Sequence, residues 1–260
     1  MADKKIYHAR DFDELLEKTK HIIEKYGLQV ISIRASKYLP SFSYSIGLLE
    51  SFKHPELICF GLSTDLMHVL INDVAALIKQ GEKIELGRNY DNIFANSDAQ
   101  FVQVDARNIS DYFKLALKYY QIDQIPAMQL IWTDRENRFP WEMGFEEEFV
   151  YKQPLLDRNA DFKIREPKNL GIITTRQWLD LNQPILRVVH DHDGDWQFLT
   201  GDQVPSDGRV VALEQLILED PTLNELFNLD YGESADRSHM GSKWTRSKLQ
   251  ESEDEEIEHN

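Results

Sequence analysis

The stretch Phe42–Leu62, FSYSIGLLESFKHPELICFGL, constrains the fold more than any other part of the chain. Residues 42–49 are rich in aromatic and branched apolar side chains, and residues 57–62 form a second, almost continuous apolar run. Between them, Glu50 to Glu56 carries Ser, Lys, His, Pro and two acids, the punctuation of a connection between strands. Pro55 fixes its own φ at about −65° and pushes His54 out of helical geometry. The pattern predicts strand, irregular turn, strand, with His54 and Glu56 on a bent connection between two core strands. A rigid sheet that positions an adaptable loop is a common place for function. His54 and Glu56, with Tyr44 on the first strand, are therefore candidates for ligand or partner contact. The plainer alternative is that His54 pins the turn.

The flanking pattern supplies the class. Asp11 and Glu14 stand three apart, as in a capping box, before Leu15, Leu16, Thr19, Ile22, Ile23 and Tyr26 at helical spacing, with Gly27 placed to end the helix. Gln29–Ala35 alternates as a strand. Ser63 caps a helix through Met67, Leu70, Ile71, Val74, Leu77 and Ile78, closed by Gly81. Strands are predicted at Lys83–Gly87, Gln100–Ala106 and Met128–Thr133, and a helix beginning at Ser110. Asp134–Asn137 reads as a turn. Helices and strands mix without a strict βαβ rhythm, so the class is α+β: a mixed sheet with flanking helices.

Residues 149–169, crowded with charge and interrupted by Pro154 and Pro167, read as a linker or arm after a first unit over 1–148. A smaller α+β unit over 170–248 follows, built on a hairpin and two short helices. Leu170–Thr175 is its first strand and Thr175–Leu181 a helical turn. Ile185–Asp191 and Asp195–Gly201 are two strands joined by His192-Asp193-Gly194, and Val210–Glu219 and Pro221–Leu229 are short helices. Residues 249–260 form an acidic tail expected to be disordered.

Lys and Arg total 29 against 45 Asp and Glu, a net charge of −16. Such a chain repels nucleic acid and anionic membrane surfaces, and steers toward it a basic partner. The single cysteine, Cys59, excludes an intramolecular disulfide and fits a reducing compartment. The polar start lacks the apolar core of a signal peptide, and no run approaches the length of a membrane span. The expected location is the cytoplasm.

Few constellations point to chemistry. The run His190-Asp191-His192-Asp193-Gly194-Asp195 has metal-ligating residue types, but its glycine falls at the wrong place for a calcium loop, and Asp-Gly between apolar runs signals a hairpin. Trp196 and Phe198 then share a face. Cys59 lies inside an apolar run and reads as a small apolar core residue rather than a nucleophile. Trp132, Phe139 and Trp141 cluster around a turn with Asp134, Arg135, Glu136 and Arg138. Aromatic rings with flanking charge suit either a recognition surface or the edge of a core. Asp134, Arg138, Trp141 and Trp196 join the binding candidates. There is no Walker pattern, HExxH, paired-cysteine zinc signature or GxSxG elbow, so no catalytic residue, metal or cofactor is assigned.

Three pieces of the first unit, FSYSIGLLESFKHPELICFGL, LINDVAALIKQGEKI and MQLIWTDRENRFPWEM, occur in the order found in a bacterial family called domain of unknown function 4262. The first unit resembles that family over about residues 12–145, with Thr133 where the family commonly has Pro. The resemblance carries no catalytic residue. In the second unit, GIITTRQWL, HDHDGDWQFLTGDQ and ALEQLILEDPTLNELFNLDYGESADR resemble the bacterial immunity-protein domain of type thirty-three over residues 170 to about 246. That resemblance implies an immunity protein that binds and blocks a toxin. Two other readings stand beside it. One is an enzyme or small-molecule binder with a cleft gathering Tyr44, His54, Glu56, Asp134 and Trp141; the other is an adaptor with a stoichiometric partner that is not a toxin.

Overall fold

The computed structural model describes residues 9–156 and 159–250 and divides into two compact units. Unit 1 comprises residues up to Ala35 together with Pro40–Ala160. Unit 2 comprises Asp161 onward together with the short segment Ser36–Leu39. Both are α+β, each with its own mixed sheet.

Unit 1 is organised by β3 (Glu56–Phe60) and β5 (Ala127–Trp132), which pair in parallel and are buried along their whole length. Strands covered on both faces need apolar side chains on both, which is why ELICF and AMQLIW are nearly continuous apolar runs. Outside them stand β2 (Phe42–Ile46) and then β1 (Gln29–Ile33) on one side and β4 (Ala99–Gln103) on the other, all antiparallel to their neighbours. The pleat separates two cores. Leu57 and Cys59 face α3 (Thr64–Lys79) through Met67, Ile71 and Val74. Ile58 and Phe60 face the other layer, where α1 (Ala9–Tyr26) contributes Leu16 and Ile23, α4 (Ala106–Tyr112) contributes Ile109, and α5 (Lys114–Tyr120) contributes Leu115 and Ala116.

Several expectations hold locally. Ser63 caps α3 by accepting from Leu66 N, and Gly27 follows α1 with φ +86. Others are corrected. The helix already includes Ala9, so Asp11 lies within its span rather than ahead of it. The turn after β2 is not irregular: it contains a one-turn helix, α2 (Leu48–Phe52), and Glu56 is the first residue of β3 rather than part of the connection. Lys83–Gly87 is no strand. Only Ile84 of it is buried, and the segment is pinned instead by Glu85 N donating to the Tyr90 hydroxyl and Gly87 N to Phe101 O. The helix expected from Ser110 begins at Ala106, because Asp105 caps it, and breaks at Phe113, whose ring is fully buried.

In unit 2, β6 (Gly171–Thr175), β7 (Arg187–His190) and β8 (Trp196–Leu199) appear where the pattern placed them. Between β6 and β7, Thr175 caps α7 (Arg176–Leu181). The β7–β8 turn is closed by Asp191, whose Oδ1 accepts from the backbone N–H of Asp193, Gly194 and Asp195. Gly194, at φ +98, occupies the left-handed position that such a turn requires. Val210–Glu219 is not one helix. Its start belongs to β9 (Gly208–Ala212), since Val210 and Val211 pair with Ile173 and Ile172, and α8 (Leu213–Glu219) follows. The helix expected over 221–229 is a 3-10 helix at Pro221–Leu226, capped by Asp220. Two strands, β10 (Glu233–Asp236) and β11 (Thr245–Lys248), were not foreseen; the sheet order is β11-β10-β7-β8-β6-β9.

Gly47, between β2 and α2, tests the turn that positions Glu56. Its φ is +114, and a Cβ there would stand 2.7 Å from Gly27 O and 2.9 Å from Leu28 Cα. Both are backbone atoms that do not swing aside. Gly47→Ala is expected to lower stability by about 2 kcal/mol or more, measured by urea denaturation.

Candidate functional site

The carboxylate of Glu56 is buried at the start of β3 and receives four donors: Ser45 Oγ, Gly47 N at 3.0 Å, Leu49 N at 3.1 Å and the Tyr120 hydroxyl. Tyr120 O in turn accepts from Gly47 N at 2.9 Å, and Ser45 Oγ accepts from Leu57 N at 2.8 Å. Burial pushes the Glu56 carboxyl above its ordinary range, against the pull of these donors. Its acid–base capacity is turned inward, onto the chain itself. His54, beside it, is buried with Nδ1 2.7 Å from Pro55 O, and Nε2 has no partner among the described residues. Burial lowers its pKa, so its ring is neutral at pH 7. Tyr44 lies on β2 within the core, in edge contact with Phe113.

A second group follows the far end of β5. Asp134, also buried, accepts from the backbone N–H of Glu136, Arg138 and Glu146 and from Arg138 Nε at 2.9 Å. Burial raises its carboxyl, but the Arg138 backbone and guanidinium and the Glu146 and Glu136 amides outweigh it and hold the group below the usual range. One side chain thereby sets the whole turn, with Asn137 in the left-handed region at φ +58. Gln153 braces the strand end, accepting from Trp132 N and donating to Trp132 O. Phe139 packs on Ile131 and Leu155, and Trp141 stacks on Phe139 at 5.0 Å between ring centres. Trp141 remains 39% exposed and Met143 99% exposed, with Val150 and Tyr151 also at the surface. Arg135 bridges Glu146 and Glu148 and lies over the Phe149 ring, and among the described residues no cation pairs with Glu136 or Glu147.

The structure does not bring the candidates of unit 1 to one place. Glu56 is paired with Ala127 at one end of the parallel strands, whereas Asp134, Arg138 and Trp141 follow Trp132 at the other. At roughly 3.3 Å per residue, the intervening strand separates the two ends by about 20 Å. Asp134, Arg138 and Trp141 do belong together.

Trp196 lies in unit 2, fully buried, sharing a face with Phe198 and stacked on His190 at 4.0 Å. Tyr38, from the short segment contributed to this unit, meets both rings edge-on; its hydroxyl donates to Glu166. Tyr38, Ser45 and Gln153 were not singled out by the sequence, and Tyr120 reads there only as core and rim at a helix end. A hydroxyl or amide that works only through a distant partner leaves no local pattern.

Two predictions follow from these buried groups. Glu56→Gln retains a carbonyl acceptor and an amide that can donate to Ser45 Oγ, so it should fold with little loss. Glu56→Ala strands buried donors and should cost about 3 kcal/mol or more by denaturant titration. His190 is buried, and desolvation lowers its pKa from 6.5, against the Nδ1 contact with Leu229 O and the fields of Glu166, Asp191 and Asp230. The unfolded chain therefore binds more protons than the folded one as pH drops below 6.5, and stability falls through that window. His54 acts with the same sign in unit 1. The melting temperature should decline as pH falls below 6.5, and His190→Phe should make that decline shallower.

Among the described residues, no helix is long and apolar enough to cross a membrane. Comparison with curated proteins and with solved structures finds no match. Residues 22–146, which lie within the span of unit 1, match the family described as Domain of unknown function (DUF4262), and it is this N-terminal unit of the chain that is similar to that family.

Proposed function

We propose that this chain is a bacterial immunity protein that acts in the cytoplasm, neutralising a toxin by stoichiometric binding through the Trp141–Met143 face of unit 1. The observation that carries the reading is the contrast between the two groups of candidates. Glu56 and Asp134 spend their acceptor capacity on the chain's own donors. What the segment after β5 offers outward is an aromatic ring and a methionine, with exposed Glu136 and Glu147 within a few residues along the chain. Large apolar side chains held by a rigid turn are the kind of anchor that dominates binding energy at interfaces. An inhibitor needs such a surface and no catalytic constellation. These exposed acids, and the chain's net charge of −16, favour encounter with a basic partner. The resemblance of the segments in β6–α7, β7–β8 and α8 to an immunity-protein domain supports the same class.

The test is capture of partners from the native host's lysate on the immobilised chain, washed at low and at high salt. The retained protein is then expressed alone and with this chain. A protein that is toxic alone and harmless in company is expected. Met143→Asp should abolish both retention and protection while shifting stability by no more than about 1 kcal/mol, because the Met143 side chain is 99% exposed. A retained partner that is harmless alone would identify an adaptor instead.

A further inference from the structure

The sheet of unit 1 ends at β1, which pairs with β2 on one side and with no strand among the described residues on the other. The backbone groups on that side are a template for another strand. This edge is not open surface. Leu28, Gln29 and Val30 form the floor of a groove of about 460 Å³. Ile22 and Tyr26, at the end of α1, make one wall. The other is a stripe of α3 in which His68, Asn72, Ala76 and Lys79 recur every three or four residues, so that they share a helix face. Ala75 and Ala76 keep that wall low and leave room for a side chain.

We infer that this groove binds an extended peptide by strand addition to β1, and that the peptide carries carboxylates. The strand edge selects an extended occupant, because only another strand satisfies a row of backbone donors and acceptors, while pockets beside the edge receive alternate side chains. The charge selects the chemistry. None of the ten lining residues is acidic, in a chain whose net charge is −16, and Lys79 and His68 supply the ionisable groups of the wall. The Lys79 ammonium lies 6.0 Å from the Phe52 ring centre and has no carboxylate partner among the described residues. On the floor, the side-chain carbonyl of Gln29 is buried without a donor. A carboxylate-bearing strand laid along β1 brings negative charge to the Lys79 wall and N–H donors to the floor. This site is distinct from the Trp141 face, which follows β5.

The experiment uses the full chain and a fluorescein-labelled octapeptide alternating valine and glutamate, with the valine–lysine octapeptide as its counterpart. Saturable binding of the glutamate peptide is expected by fluorescence anisotropy. It should be at least tenfold weaker for the lysine peptide and for the Lys79→Glu variant. Amide hydrogen exchange should slow across Gln29–Ile33 on binding, which a contact with side chains alone would not produce. Ala76→Trp, at an exposed helix position, should block the groove without unfolding the chain, and Trp141→Ala should leave peptide binding unchanged. Equal binding of the two peptides, absence of protection in β1, or insensitivity to Ala76→Trp would overturn the inference. So would protection of β1 that rises with protein concentration in the absence of peptide, since a second copy would then occupy the edge.

Discussion

Glu56 is the residue on which the centre of unit 1 depends. Its carboxylate gathers donors from four separate places: Ser45 on β2, Gly47 at the strand end, Leu49 in α2 and Tyr120 at the end of α5. The chain reverses from β2 to β3 within a few residues, and that reversal leaves the first amides of a one-turn helix unpaired. A helix so short has no cooperative stability of its own. At so buried a site, each of these hydrogen bonds is stronger than it would be at the surface, and each would be costly to lose. The same carboxylate fixes where α2 begins, and through Tyr120 it ties the α5 layer to the strand connection. The core to either side, with Leu57 and Cys59 on one face and Ile58 and Phe60 on the other, is assembled around a strand whose start is thereby set.

Much of this was legible in the chain, for physical reasons that differ by element. The parallel pair β3 and β5 announces itself because strands covered on both faces must be apolar throughout, and α3 because a serine cap precedes an unbroken helical periodicity. The failures have the opposite cause. The four residues of β10, ESAD, and of β11, TRSK, contain no apolar alternation; β10 is a strand because β7 offers an edge to pair with, and β11 because β10 offers the next. Helix α2 is stabilised by Glu56, a residue outside it, so its own five residues do not declare it. Val210 and Val211 satisfy a helical spacing and a strand alternation equally, and the partner strand β6 decides. At the candidate sites, the acidic residues were visible, but Glu56 and Tyr120 stand 64 positions apart, and no local pattern links them. Asp134 was the easier case, because its partners lie within the same turn.

Charge is distributed in a way that composition conceals. The chain is strongly acidic, yet the two buried acids of unit 1 are held mostly by uncharged donors: among the described residues Glu56 meets no arginine or lysine, and Asp134 meets one guanidinium among three backbone amides. The acidity that a partner would feel is therefore carried by the surface, at places such as Glu136 and Glu147. The groove at the β1 edge reverses that sign locally, with Lys79 and His68 in a lining free of acids. Two faces of one unit thus present different chemistry to the surroundings, an exposed apolar anchor in an acid-rich segment at one and a strand edge beside a cation at the other.

Unit 2 is not continuous in sequence. Its core includes Tyr38, whose ring lies against His190, Trp196 and Tyr231 and under the Arg165 guanidinium, while the rest of the unit begins at Asp161. During synthesis this aromatic residue leaves the ribosome well before the strands that bury it. At typical elongation rates the interval is on the order of 10 s. For that time the nascent chain carries an unburied tyrosine on the connection between β1 and β2, in a hairpin whose own sheet is already being assembled. The order of translation therefore makes Tyr38 wait for the rest of the core it belongs to, and splitting the gene between residues 160 and 161 would separate Tyr38 from the rings it covers.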